Sequence, residues 1–404
     1  MKLKDLIESS NTGLDAIKRA PIVDYNTGVR CLRIGDISNN RSFNEWGYTE
    51  VEDNNYAKFK LQKGDIVVAR TGATIGINKF IDKDYKSVYN NGLIRIRVKQ
   101  GNNPKYVYYL LQSNNYKNFI KTISMGTSTQ PNMQINDLLN LEIPSFDRYK
   151  QDKIVKILGN IDDKIKLNNE INNNLFELLK QEFREKFYNK EGKDSYLIDY
   201  ISNTIGGDWG KENPEGNNNA KVYCVRGADI PSMEYGNKGN APIRYILEKN
   251  YENKKLNPNN IIIEISGGSP TQSTGRTAYI TKSILDMYNS PLLCTNFCRA
   301  IETKSDILSP FVYMNLKLMY EDDIFFNFEN GTTGIKNLAL NDMLSNLEVK
   351  SPNEIDLKVF SLLFNNIMNK ISNNSNENIK LEQLRNTLLP KLMNGYIDLD
   401  NIEI

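Results

Sequence analysis

The second half of this 404-residue chain replays the landmarks of the first in order and at a nearly constant offset, which commits it to a tandem duplication. Residues 29–37 answer to residues 222–230, with Cys31 and Cys224 in register and an Asp-Ile pair closing both. Two apolar runs ending in glycine come next, residues 65–72 and 260–267, each reading as a buried strand. Both continue through a loop into another strand, ending at Phe80-Ile81 and Tyr279-Ile280. Helices opened by proline follow at residues 104–111 and 309–316. The closing blocks match best: Gly126-Thr127 with residues 135–143, and Gly331-Thr332 with residues 340–349. Chance similarity between strand-rich domains is the competing explanation, and so many landmarks in one order argue against it.

After each strand-rich segment the periodicity becomes helical. Ile154, Leu158, Ile161 and Ile165 recur at spacings of four and three, then pass through Asn168 and Asn172 to Leu175 and Leu179. The second copy runs Phe360, Phe364, Ile367, Ile371, then Asn374 and Asn378, then Leu381. Polar residues in an apolar seam cost stability but fix register and partner choice. The simplest geometry is two long helices, one per half, packed antiparallel so that the asparagine levels meet near the middle. A helix of about 40 residues is about 60 Å long and could act as a spacer, unless the Asn-rich centre kinks it. The alternative is two ordinary amphipathic helices, each packed on its own domain. The expected fold class is α+β: two similar strand-rich domains joined by an antiparallel coiled coil, with a pseudo-twofold internal repeat. The expected boundaries are 1–146 and 191–353 for the domains, 147–190 for the central helix, and 354–404 for the C-terminal helix and tail.

The chain contains no histidine, which removes Ser-His-Asp and Cys-His nucleophile activation and imidazole metal sites together. Four cysteines are too few for a disulfide scaffold, and Cys294 and Cys298 lack a second Cys/His pair to complete a zinc site; they read as small buried hydrophobes. No apolar run approaches the roughly 20 residues that cross a bilayer, and Met1-Lys2-Leu3-Lys4-Asp5 lacks a signal-peptide core, so a cytoplasmic protein is expected. The net charge of +2 divides unevenly: residues 1–146 carry +6 and residues 191–353 carry −4. Charge thus points to nucleic acid only in the first half, although Ser, Thr, Asn and backbone N–H groups also bind phosphate.

At this point the chain resembles the specificity subunits of type I restriction–modification enzymes along nearly its whole length. The marks are residues 3–7, Gly64-Asp65-Ile66-Val67-Val68-Ala69-Arg70-Thr71-Gly72, the stretch from Gly126 to Asn132, Leu141-Glu142-Ile143-Pro144, residues 151–158, and Leu388-Leu389-Pro390-Lys391-Leu392-Met393-Asn394-Gly395. The resemblance implies that the globular parts are target recognition domains and the helices spacers. It implies double-stranded DNA and two methyltransferase subunits as partners, with nuclease/translocase restriction subunits where the complex includes them. It also implies no cofactor on this chain, S-adenosylmethionine belonging to the methyltransferase subunit, and no catalysis here. Neither an Asn/Asp-Pro-Pro-Tyr/Phe motif nor a Phe-x-Gly-x-Gly loop is present. The second half departs from the pattern where Asn257-Pro258-Asn259-Asn260 replaces Lys63-Gly64-Asp65, and where residues 352–356 lack a glutamine-rich start.

Base reading needs paired donors and acceptors, Arg or Lys for guanine and Asn or Gln for adenine, carried on loops beside a rigid sheet. In the first half the candidates for DNA contact are Arg33, Arg70, Thr71, Thr74, Thr127, Ser128, Thr129, Gln130 and Asn132. In the second they are Arg226, Ser266, Ser269, Gln272, Thr274, Arg276, Thr332, Thr333 and Lys336, near glycines that would let backbone N–H groups approach a phosphate. Arg33 and Arg226 hold matching repeat positions and could equally be structural ion pairs, and residues 267–269 could be a plain turn. Trp46, Tyr48, Trp209 and Tyr235 read as packing residues. Two rival functions are a DNA-free coiled-coil scaffold and a carboxylate enzyme using Asp36 and Asp229.

Overall fold

The computed structural model describes residues 1–125, 131–269, 271–331 and 335–400. The chain forms two units, one of residues 1–163 with 381–404 and the other of residues 164–380. Each mixes strands with helices, and two long helices, Arg148–Phe183 and Glu354–Met393, contribute to both. Among the described residues no helix is long and apolar enough to cross a membrane.

In the first unit Ile7–Thr12, Leu93–Val98, Ile66–Ala69 and Asn78–Phe80 form an antiparallel sheet in that order. A second sheet orders Ile22–Val23, Gly47–Thr49, Arg30–Leu32 and Ser87–Tyr89, its last pair parallel. The second unit repeats this plan. Ile201–Gly206, Cys298–Thr303, Ile261–Glu264 and Thr277–Tyr279 form the antiparallel sheet, and Asn218–Val225 lies parallel to Leu292–Cys294 in the other. Even the irregularity of the edge strand recurs, between Ile7 and Ser9 and between Ile201 and Asn203. The duplication is therefore one of topology as well as of sequence.

Successive strand residues point to opposite faces, and here both faces are covered, which is why the two central strands carry unbroken apolar runs. Ile66 and Val68 join a core with Tyr106, Ile154 and Leu158, whereas Val67 and Ala69 join another with Cys31, Trp46 and Val88. In the second unit Ile261 and Ile263 pack with Phe183, Phe311 and Phe364, and Ile262 packs with Val225, Cys294 and Cys298. Cys294 and Cys298 are free and buried, and burial pushes the Cys294 thiol up to about 12.

The sequence departure before the second central strand preserves its turn. Gly64 and Asn259 both adopt a left-handed backbone, at φ of 90° and 71°, a conformation asparagine tolerates better than most residues. Their N–H groups donate to Ile81 O and Ile280 O, each at 2.8 Å. The Asp65 carboxylate and the Asn260 side-chain oxygen then accept the N–H of Gln62 and Asn257, each at 2.8 Å. A second matched feature escapes periodicity altogether. A Cβ on Gly13 would stand 2.2 Å from Tyr89 O, and one on Gly207 would stand 1.9 Å from Thr295 O, so only glycine allows the chain to pass there.

Both long helices run unbroken through their asparagines, over 36 and 40 residues. In the second unit they pair antiparallel, since Asn168 lies against Asn378 and Asn172 against Asn374. Asn168 Nδ2 donates to Asn378 Oδ1 at 2.9 Å, and Asn378 Nδ2 donates to Asn169 Oδ1 at 2.9 Å. Asn374 Nδ2 donates to Asn172 Oδ1 at 2.8 Å, and Asn172 Nδ2 donates to Ile371 O and Ser375 Oγ. All four amides are buried, and their mutual bonding removes most of the desolvation cost. The apolar seam continues with Phe176, Leu179 and Phe183 beside Phe360, Phe364 and Ile371. In the first unit Ile154 and Leu158 share a core with Leu389 and Leu392, and Asp162 pairs with Arg385 at 2.9 Å.

Replacing Asn374 by alanine strips Asn172 Oδ1 of its donor inside the seam and is expected to cost about 1–3 kcal/mol. The paired change Asn172→Leu with Asn374→Leu leaves no orphan and is expected to cost less than the single change. Urea-denaturation midpoints check the ranking.

Candidate nucleic-acid interface

Each central strand runs out into loops at one end of its sheet, and hydrogen bonds in matching positions fix those loops. In the first unit the Arg70 N–H donates to Gly92 O at 2.9 Å and Met133 N donates to Arg70 O at 2.8 Å. Ile265 in the second unit makes the same pair of bonds, to Phe297 O at 2.8 Å and from Leu338 N at 2.9 Å. Thr71 therefore bridges Asn132, as Ser266 pairs with Asn337 and Gly267 with Lys336.

Arg70, Thr71 and Asn132 are thus brought together. Arg70 Nη2 donates to Asn132 Oδ1 at 3.0 Å, while Arg70 Nε is enclosed without a partner among the described residues. Thr74 sits half-buried in the turn that follows and accepts the Ile77 N–H on its backbone oxygen. In the second unit Ser269 N donates to Gln272 O at 2.8 Å, and Gln272 Nε2 donates to Tyr320 Oη at 3.2 Å. Lys336 Nζ lies 2.6 Å from Glu329 Oε2, and Glu329 Oε1 accepts the Thr274 N–H at 2.6 Å. Burial works against the Glu329 charge, but these two donors hold its carboxyl below the usual carboxylate range. Thr274 is itself fully buried, so its side chain shapes the loop from inside. Thr127, Ser128, Thr129, Gln130, Thr332 and Thr333 lie outside the described residues.

Arg33 and Arg226 form ion pairs of one design. Arg33 Nε and Nη2 reach the two oxygens of Asp36 at 3.2 and 3.4 Å, and Arg226 those of Asp229 at 3.0 and 3.1 Å. Each carboxylate also accepts its arginine's backbone N–H at 2.9 Å, which starts a short helical turn. Asp36 and Asp229 are buried and saturated with donors, an arrangement that builds a turn. The Arg33 and Arg226 side chains remain 34% and 41% exposed.

The aromatic residues divide. Trp46 is core, and Tyr235 packs edge-on against Phe176, whereas Tyr48 and Trp209 carry the guanidinium groups of Arg30 and Arg244, each at 3.9 Å from the ring centre. Two features of this end of the sheet went unread in the sequence. Phe297 is 56% exposed at the position that Gly92 holds in the first unit, and Glu264 pairs bidentately with Arg276 at 2.9 and 2.6 Å. Strand pairing, rather than sequence spacing, creates both.

A family model described as the type I restriction modification DNA specificity domain matches residues 1–177 and again residues 183–386. The chain is 26% identical over 341 residues to the type I restriction enzyme MjaIX specificity subunit of Methanocaldococcus jannaschii, covering 78% of this chain and 73% of that one. It is 22% identical over 453 aligned positions to the HindI specificity subunit of Haemophilus influenzae, covering 93% and 96%. Among solved structures, the type I restriction–modification S subunit from M. genitalium shares the fold at a TM-score of 0.54, with 17% identity over 97% of this chain and 95% of that one.

Removing the guanidinium in Arg226→Ala leaves the Asp229 carboxylate buried with backbone donors alone. The expected loss is about 2 kcal/mol, read from the urea midpoint, and Asp229→Asn should lose at least as much, because its amide nitrogen would face N–H donors. An unchanged midpoint in Arg226→Ala would show that the arginine serves only ligand contact.

Proposed function

The chain belongs to the type I restriction–modification DNA specificity family, and on that footing we propose that its two units read two different parts of one split, asymmetric DNA target. The carrying observation is that one topology is used twice with different chemistry at the same end of the sheet. The first unit offers Arg70, Thr71 and Asn132 in one cluster, a set able to address guanine, adenine and phosphate. The second offers Arg276 on Glu264, with Ser266, Gln272 and Lys336 on the segments that follow or pair with the end of the same strand, in a domain of opposite net charge. Two copies with identical ends would read a repeated target, and these read unlike ones.

In this reading the long helices recruit two methyltransferase subunits, and restriction subunits where the complex includes them. Ile355, Val359 and Leu362 support a partner surface: they are 76%, 51% and 65% exposed at the i, i+4, i+7 positions of one helix. S-adenosylmethionine belongs to the methyltransferase subunit, and this chain supplies specificity rather than catalysis. A cytoplasmic location goes with the reading, because the target is cellular DNA.

Exchanging residues 1–146 for the first domain of another family member should change one part of the methylated motif and leave the other untouched, as read by long-read methylation mapping. A motif that stays whole after the exchange overturns the proposal. Binding of the assembled complex to duplex DNA should also weaken steeply with salt, on the order of 10³-fold or more between 50 and 200 mM if six or more phosphates are neutralised. Failure of the assembled complex to bind duplex DNA even at 50 mM salt would instead favour a DNA-free scaffold.

A further inference from the structure

We propose that Arg276 reads a guanine, and that Glu264 is the positioning residue that aims it; this rests on the DNA-reading function proposed above. Glu264 ends the central strand of the second unit, and its backbone N–H donates to Arg276 O at 2.9 Å. The same bond in the first unit runs from Ala69 N to Ile77 O at 2.8 Å. An alanine–isoleucine pair in one copy is therefore an ion pair in the other, at one level of one sheet.

The geometry divides the guanidinium in two. Arg276 Nε and Nη2 donate to the two oxygens of Glu264 at 2.9 and 2.6 Å, so the side edge of the fork is fully used. Nη1 has no hydrogen-bond partner among the described residues and is not among the enclosed atoms. A guanidinium has five N–H donors. The end edge, one N–H from each Nη, is thus left to face a ligand, and it matches the paired acceptors O6 and N7 of guanine in the major groove. Holding the side edge on a carboxylate removes most of the rotational freedom that an arginine otherwise loses on binding.

Two glycines clear the space for this arrangement. A Cβ on Gly227 would stand 2.2 Å from Glu264 Oε1, and one on Gly267 would stand 2.6 Å from it. Gly227 occupies the repeat position of Ile34, which in the first unit packs against the core that holds Ala69. Ile34, Ala69 and Ile77 are thus replaced as a group by Gly227, Glu264 and Arg276. Stability does not explain the exchange. Glu264 is buried, its desolvation is costly, and the first unit demonstrates that an apolar pair fits the same site; such a pair is commonly neutral or better for stability. What the ion pair adds is a fixed fork, on a side chain 25% exposed, at the loop end of the sheet.

The test uses the full chain assembled with its partner subunits in cells otherwise free of methylation, with the methylated motif mapped by long-read sequencing. Glu264→Ala combined with Arg276→Ile writes the first unit's pair into the second and should fold. It is expected to keep the motif but relax one G·C position, in the part read by the second unit, with discrimination there falling on the order of 10- to 100-fold. Arg276→Lys keeps the charge but loses the fork and should relax the same position, which decides the matter even if the paired variant fails to fold. Glu264→Gln should relax that position partially, an effect a merely structural carboxylate would not have. A motif unchanged in Arg276→Lys, or relaxed only in the part read by the first unit, overturns the proposal. A wild-type complex that marks no defined motif overturns the DNA-reading function itself.

Discussion

Four buried amides, on Asn168, Asn172, Asn374 and Asn378, exchange hydrogen bonds across an otherwise apolar seam, and the architecture of the second unit follows from that exchange. Apolar side chains alone tolerate sliding, because one leucine or phenylalanine level resembles the next. Amides do not. A shift by one turn would leave one asparagine level matched and strand the other two amides, at a cost of about 1–3 kcal/mol for each stranded group. The antiparallel direction also lets each unit draw on distant parts of the chain. Leu389 and Leu392 complete a core begun by Leu3 and Leu6, so the first unit is not finished until the last helix is in place.

Duplication then separates what the fold requires from what it leaves free. The left-handed turn before each central strand, the glycines Gly13 and Gly207, and the aspartate-capped turns at Asp36 and Asp229 recur because each solves a local steric or hydrogen-bonding problem. At the loop end of the sheet the backbone hydrogen bonds recur, but they leave the side chains free, and there the copies differ. Gly92 corresponds to exposed Phe297, and Ala69 with Ile77 to Glu264 with Arg276. A scaffold held constant with variable ends is the organisation expected of a protein that must read two unlike stretches of DNA.

Much of this was legible in the sequence because it is periodic or repeated. The spacing of Ile154, Leu158 and Ile161 revealed the helix, the asparagines at one level revealed its partner, and unbroken apolar runs revealed strands covered on both faces. Features made by chain segments distant in sequence were not legible. Residue type could not separate an ion pair from a base contact at Arg33 and Arg226, where each arginine forms the pair and its side chain stays partly exposed. Thr274 looked like a donor on an exposed loop but lies inside it. Glu264 looked like an ordinary strand end, because its partner arrives from the next strand and its clearance comes from Gly227, 37 positions earlier in the sequence. Asn259 looked like a departure until its positive φ showed it doing the work of Gly64.

The register of the seam can be tested by covalent capture. Cysteines placed at Asn172 and Asn374 should form an intramolecular disulfide under mild oxidation, identified by peptide mass spectrometry, with Cys31, Cys224, Cys294 and Cys298 buried and out of reach. A pair displaced by one turn, at Asn168 and Asn374, should not. Efficient linkage of the displaced pair with none at 172 and 374 would contradict the antiparallel register on which the account rests.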